Sequence, residues 1–409
     1  MERRREKPEL VAPAGSWAAL STALASGADS IYFGIKNLNM RNLASNFDMG
    51  EIGKVMNTIH KKKKRGYLAL NVIIYNRELG KVENILKIAK KEGVDAVILW
   101  DMAAFQMAKD TGLKIHLSTQ ASVANSGALK TYSRLGAKRI VLARECNLSD
   151  IREIIELCEV EKIDCEIEAF IHGAMCVSIS GRCFLSQYSF FDSANRGECL
   201  QPCRREFIIK DVQDECEYEI GKDYVLSPKD LCTIGFIDKL ILTGVKALKI
   251  EGRIRSPEYI KVVTSVYRRA IDSFFKGELN QELKEKLINE ARSVYNRGFS
   301  EGFYKNMPCD ISSNIESEYE KVYLGEVRKF YKKISVAEIL VRNGVLKKGQ
   351  TLLFIGNRST PASFAKVEDI QVEHTPVSRV EKGGRCGVKL PYAVRSKDKV
   401  FIWRRKTQW

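Results

Sequence analysis

The sequence predicts an α/β fold of the TIM-type (β/α)8-barrel class, and three observations predict it. Eight short β-rich runs recur along the first two-thirds of the chain, a helix-patterned stretch follows each, and glycine closes many of those stretches. The runs are Leu10–Ala14, Ser30–Ile35, Tyr67–Ile73, Ala96–Asp101, Lys114–Thr119, Arg139–Glu145, Cys165–His172 and Ala247–Arg253. Several are almost continuously apolar, as parallel strands buried on both faces must be. Between them lie helical patterns such as Trp17–Ser26 and Leu79–Glu92, with Gly27, Gly66, Gly93, Gly112, Gly136 and Gly244 where a C-cap belongs. A doubly wound open sheet is the alternative, but no Gly-x-Gly-x-x-Gly follows the first run. The barrel is expected over residues 1–308.

The spacing is uneven in one place. Earlier strand starts are 18 to 37 residues apart, whereas the seventh and eighth are separated by 82. The extra chain, residues 173–226, leaves the C-terminal end of strand seven, the barrel face on which active sites are built. A loop of that length inside a compact domain is usually functional. Helical patterns at Pro257–Phe275 and Gln281–Tyr295 follow strand eight. Residues 309–318 are polar and poorly patterned, and read as a linker. From 319 to 409 apolar and polar residues alternate around Asn343-Gly344, Lys348-Gly349 and Gly383-Gly384, which predicts a small antiparallel β-barrel.

Composition narrows the function classes. The 409 residues are 44% hydrophobic and 29% charged, as in a soluble globular protein. The start, Met1 to Pro8, is charged and lacks an apolar h-region, and no stretch approaches the ~20 apolar residues of a membrane span. A cytoplasmic protein without a membrane partner is expected. The net charge of +16 suits a polyanion, because Lys and Arg release counterions from phosphate backbones. The densest basic run, Lys61, Lys62, Lys63, Lys64 and Arg65, is the candidate RNA contact; its bland reading is a solvated helix end.

Eleven cysteines in a chain of this kind argue against a disulfide framework. Cys158, Cys165, Cys216 and Cys309 stand alone and read as inert thiols. Cys176, Cys183, Cys199 and Cys203 fall within 28 residues, with Gly and Pro between them, and can converge on one centre. Four thiolates bind zinc or an iron–sulfur cluster. Structural zinc prefers two tight knuckles, and only Cys199/Cys203 is tight, so the looser Cys176/Cys183 spacing favours a cluster while zinc and core thiols stay open. Cys232 is a substitute ligand or a buried thiol, just inside a helix expected to start with Ser227 as N-cap, Pro228 at N1 and Asp230 at N3.

Polar residues gather at the predicted C-terminal strand ends: Asn71, Asp101, Gln120, Arg144, Glu145, His172, Glu251 and Arg253. In a barrel they would face one cavity. Lys249, Glu251 and Arg253 alternate, so all three point to one face of strand eight and need partners or a polar cavity. Arg144 and Arg253 can each hold a carboxylate bidentately. His172 is a candidate proton donor, or a hydrogen-bonding neighbour of the cysteine centre. A proteolytic engine is harder to find: there is no His-Glu-x-x-His, no Gly-x-Ser-x-Gly and only four histidines.

Longer motifs carry a family resemblance. Glu168-x-Phe170-x-His172-Gly173-Ala174-x-Cys176, Ser180-Gly181-Arg182-Cys183-x-Leu185-Ser186 and Cys199-x3-Cys203-Arg204 resemble the signature of the peptidase U32 family. Glu9 to Gly15, Ser227-Pro228-Lys229-Asp230-Leu231 and Lys249-Ile250-Glu251-Gly252-Arg253 fit as well. The resemblance spans nearly the whole chain. It implies a [4Fe–4S] cluster on four cysteines, and it implies one of two kinds of activity. Some members are described as collagenase-like peptidases. Others are linked to oxygen-independent hydroxylation of a transfer-RNA wobble uridine, a 23S ribosomal-RNA cytidine or ubiquinone precursors. The sequence is most similar to the transfer-RNA group, which implies prephenate-dependent formation of 5-hydroxyuridine. On their strand-end positions, Arg144, His172, Glu251 and Arg253 are the catalytic candidates, and Asn71, Gln120 and Lys249 the substrate-binding ones. A non-catalytic RNA-binding iron–sulfur factor remains the alternative of a different class, and a related partner subunit stays open.

Overall fold

The computed structural model describes residues 6–205, 207–210, 213, 217–220, 224–305, 311–312, 317–356 and 360–406. Eight parallel strands form its centre: β1 (Glu9–Ala14), β2 (Ser30–Gly34), β3 (Arg65–Ala69), β4 (Ala96–Leu99), β5 (Ile115–Leu117), β6 (Ala137–Val141), β7 (Glu166–Gly173) and, after an excursion, β12 (Ala247–Ile250). Each pairs with the next, and β12 pairs with both β7 and β1, so the ring is closed. The expected TIM-type barrel is therefore the fold.

Helices α1 (Trp17–Ala25), α2 (Ile52–His60), α3 (Leu79–Lys91), α4 (Met102–Asp110), α5 (Ser126–Leu135) and α6 (Leu148–Val160) return the chain between strands. α3, for example, buries Val82, Ile85, Leu86 and Ala89, and outward-facing strand residues such as Leu10 and Phe33 belong to the same core. Gly136 and Gly244 cap helices with positive φ, and Gly27, Gly93 and Gly112 also have positive φ. Gly66 departs from expectation. It lies inside β3 under Met56 and Ile59 of α2, while Lys63 takes the left-handed position of that turn.

Inside the ring the lower layer is ionic. Arg139 donates to Glu9 (2.7 Å) and Glu168 (3.2 Å), Glu168 accepts from Lys249 (2.7 Å), and Glu9 accepts from Tyr67 (2.5 Å). Glu9, Arg139, Glu168 and Lys249 are all buried. Charges this deep persist only because each is paired.

The excursion after β7 holds α7 (Leu185–Phe190), the hairpin β8 (Phe207–Lys210) with β9 (Glu217–Ile220), strand β10 (Tyr224–Pro228) and strand β11 (Asp230–Cys232). The helix expected to open at Ser227 is thus replaced by two extended segments. After a 3-10 turn at Ile234–Phe236 the chain becomes α-helical only at α8 (Ile237–Thr243), because β11 docks antiparallel on the end of β7, Cys232 opposite His172. Then follow α9 (Pro257–Lys276), α10 (Gln281–Arg292), β13 (Phe299–Ser300) beside β11, and β14 (Ile311–Ser312) beside β10. Cys216, Cys309 and much of the expected linker lie outside the described residues.

The tail contains β15 (Tyr319–Tyr331), β16 (Val336–Val341), β17 (Leu346–Lys347), β18 (Thr351–Ile355), β19 (Ser363–Lys366), β20 (Gln371–Val372), β21 (Thr375–Pro376), β22 (Arg379–Val380), β23 (Arg385–Lys389) and β24 (Lys399–Arg405). Eight of these make one antiparallel sheet in the order β19-β18-β24-β15-β16-β23-β20-β21, with the pair β17–β22 separate. The sheet has its own core around Leu324, Ile339, Phe354 and Val388. No pairing of β19 with β21 closes it among the described residues. It meets the barrel through Ala362, whose N–H donates to Thr22 Oγ1 (2.8 Å), and through the Lys321–Glu258 ion pair (2.6 Å).

Candidate active site

The C-terminal ends of the barrel strands and the excursion after β7 enclose a cavity of about 400 Å³. The excursion supplies Cys176, Cys183, Cys199 and Cys203, and all four line the cavity. The first follows β7 directly. Cys183 precedes α7, its N–H donating to Asn195 Oδ1 (3.2 Å) while its sulfur accepts from Leu185 N–H (3.4 Å). Burial raises the Cys199 and Cys203 thiol pKa values, and the neighbouring thiols add to the effect. Among the described residues, no group of three Cys, His, Asp or Glu side chains is drawn in to metal-ligand geometry.

Cys232 is not part of this set. Its strand carries it to the outer side of β7, where it is buried with Tyr267 Oη 3.9 Å from its sulfur. Cys158 is a buried thiol in α6, as expected, and Cys165 is partly buried.

A cluster of charge lines the same cavity. Glu251 accepts from Arg41 Nε (3.0 Å) and Nη2 (2.9 Å), and Tyr32 Oη lies 3.5 Å from its other oxygen. Burial by itself would raise the Glu251 pKa, but the charges of Arg41, Arg144 and Arg253 outweigh it and hold the carboxyl at about 2. Arg253 is pulled down to about 10, first by burial; its Nη1 donates to Asn39 Oδ1 (2.9 Å). Arg144 stacks on Phe170 (4.0 Å) and donates Nη1 to Ala174 O (2.8 Å), while its buried Nε has no partner among the described residues. Asn71 holds Met40 N–H (3.2 Å) and reaches Ser118 and Gln120, so these amides form a connected polar wall. Two glycines permit this packing. A Cβ on Gly15 would collide with the carbonyl of Arg253, and one on Gly197 (φ 88°) with that of Asn39.

Of the predicted site residues, Asn71, Gln120, Arg144, Glu145, Lys249, Glu251 and Arg253 line the cavity. Lys249 sits in its floor with its ammonium held by Glu168. Asp101 instead caps α4, accepting from Ala103 and Ala104 N–H (3.0 Å each). His172 is the larger correction. The β7–β12 register shifts between Lys249 and Ile250, so His172 lies opposite the outward-facing Ile250. The bulge turns its ring out of the barrel, where Tyr267 Oη lies 3.3 Å from Nδ1 and Tyr259 and Phe299 pack around it. Burial, then Arg255, lowers its pKa to about 3. It is a neutral core histidine.

Lys61 to Arg65 run from the C-terminus of α2 into the start of β3, at the opposite end of the barrel from the cavity. Lys61, Lys62 and Lys63 are exposed, Lys64 pairs with Asp29 (3.3 Å) and Arg65 with Glu9 (2.6 Å). Sequence reasoning missed Tyr32, Asn39 and Arg41. The signal for Asn39 and Arg41 was the long, polar connection after strand two, on the same face as the cysteine loop, whereas Tyr32 lies within strand two itself.

A profile described as "Peptidase family U32" matches residues 15–314, and the chain belongs to that family. An uncharacterized protease of Methanocaldococcus jannaschii is 43% identical over 403 residues, covering 96% of this chain and 98% of the relative. A collagenase of Porphyromonas gingivalis is 36% identical, covering 98% and 99%. The tRNA hydroxylation protein P1 of Bacillus subtilis is 32% identical, covering 86% and 84%. Among the described residues no helix is long and apolar enough to cross a membrane.

Proposed function

We propose that this protein is an iron–sulfur-dependent RNA-modifying enzyme that hydroxylates C5 of a transfer-RNA wobble uridine, with prephenate as co-substrate. One observation carries the reading: four thiols and six arginines line one cavity, and none of the four histidines does. His60 pairs with Asp95 on the surface, His116 and His172 are buried outside the cavity, and His374 lies in the tail. A Cys–His or Ser–His nucleophile, which hydrolysis by a protease of that type requires, has no base there. The relative named for tRNA hydroxylation supports the same choice. Those named protease and collagenase make peptidase activity the second reading.

Cys176, Cys183, Cys199 and Cys203 would hold the cluster, since four soft thiolates on one cavity suit iron. When bound, such a cluster supplies one-electron redox chemistry. The remaining roles belong to the chain. Arg144 and Arg253 receive carboxylates. Glu251 stays ionised at neutral pH and fixes Arg41. Burial holds Tyr32 protonated, and its hydroxyl donates to the Ile250 carbonyl (2.9 Å), which fixes the ring beside Glu251. The amides of Asn71 and Gln120 offer both donors and acceptors to the edge of a base.

The test is deletion of the gene followed by mass spectrometry of transfer-RNA nucleosides. Loss of 5-hydroxyuridine or its further-modified forms, with Arg253→Ala retaining iron but failing to restore them, is the expected result. Normal wobble uridines in the deletion strain would overturn the reading. The next assays would be of a ribosomal-RNA cytidine and then of peptidase activity.

A further inference from the structure

Helix α7, which stands beside the cavity, is amphipathic in the wrong sense for a solvated helix. Its inner side presents Leu185 and Ser186 to the cavity, and Ser186 is buried. Phe184 and Tyr188, at i and i+4, are 58% and 81% exposed, and Phe191, which ends the helix, is 94% exposed. The first two rings lie 6.0 Å apart. Phe191 holds a left-handed φ of 62°, costly for a bulky residue. Large aromatic side chains left in water in a row mark a binding surface.

Charge selects the partner. Arg205 lies over the ring of Phe190 at 4.3 Å, on the same helix, and the whole chain carries +16. A guanidinium beside exposed aromatic rings on a strongly basic chain suits unpaired nucleotides: the rings stack on bases and the guanidinium meets phosphate. We infer that the Phe184–Tyr188–Phe191 stripe is a stacking platform for unpaired nucleotides of an RNA loop flanking the base that enters the cavity. This deepens the proposed RNA reading and rests on it for the identity of the RNA. It moves the principal RNA contact from the lysine run at the far end of the barrel to the cavity rim.

The test uses full-length, anaerobically purified protein with its metal retained. Binding of a labelled single-stranded oligouridylate and of a duplex of equal length is measured across a salt series. Wild type should prefer the single strand. The triple variant Phe184→Ala, Tyr188→Ala, Phe191→Ala should bind it about tenfold or more weakly with an unchanged salt slope, since stacking, unlike phosphate contact, releases no counterions. Tyr188→Trp alone should keep wild-type affinity, which separates stacking from a folding defect. Equal wild-type affinity for strand and duplex, or undiminished binding by the triple variant, overturns the platform. A dimer that becomes monomeric in the triple variant at unchanged RNA affinity assigns the stripe to a second copy of this chain and overturns it as well. These outcomes do not depend on wobble-uridine analysis, so the platform and the hydroxylation reading can fail separately.

Discussion

Arg41, from the loop after the second barrel strand, donates Nε and Nη2 to one oxygen of Glu251 at the end of the eighth, at 3.0 and 2.9 Å. The pair joins two loops that are 210 residues apart in sequence. It also decides the charge of the cavity, because Glu251 is the carboxylate around which Arg41, Arg144 and Arg253 gather.

Arg41→Ala should destabilise the protein at pH 7 by less than the ~3–5 kcal/mol typical of a broken buried pair, since Arg144 and Arg253 still compensate Glu251. The Glu251 pKa is depressed in the fold. Its stabilising contribution is therefore present above the unfolded value near 4.3 and is lost as pH falls toward about 2. The gap between wild type and variant should narrow over that window in denaturant titrations. A gap that stays constant down to pH 3 would refute the coupling.

His172→Gln should leave the iron content proposed for wild type unchanged and cost about 1–3 kcal/mol, the range for disturbing a buried hydrogen bond. The wild-type ring has a folded pKa of about 3. Below its unfolded value near 6.5 the unfolded chain binds more protons, so the ring destabilises the fold progressively as pH falls. The variant should lack that acid slope between pH 6.5 and 3. Abolished nucleoside modification in a variant that is well folded and iron-loaded would return the ring to the chemistry.

Cys176→Ala and Cys183→Ala should each give colourless protein after anaerobic purification, against about four irons per chain in wild type. Cys232→Ala should stay brown, because its sulfur faces Tyr267 on the outer side of β7. Stoichiometric zinc without iron in wild type would remove the cluster from the proposal.

Reversing the charges of Lys61, Lys62 and Lys63 should leave wobble modification intact and change the salt slope of RNA binding little. These side chains project from the barrel end remote from the cavity. A slope reduced by two or more would mean that they neutralise phosphates, given roughly 0.9 unit per phosphate on a duplex.

The sequence by itself determined the barrel, the position of the excursion after strand seven and the set of thiols it carries. These features are local: buried parallel strands show as apolar runs, and an insertion shows as a gap in their spacing. Tertiary structure alone decided which side each polar residue faces. His172 follows the alternation of its strand in sequence, yet one bulge against β12 turns it outward. Cys232 looked like the first turn of a helix, yet pairing with β7 holds it extended and away from the other thiols. Arg41 carried no motif and became the partner of Glu251 because closing the ring brings the loop after β2 over the end of β12. Register, bulges and loop return depend on contacts far apart in the chain, and no local periodicity encodes them.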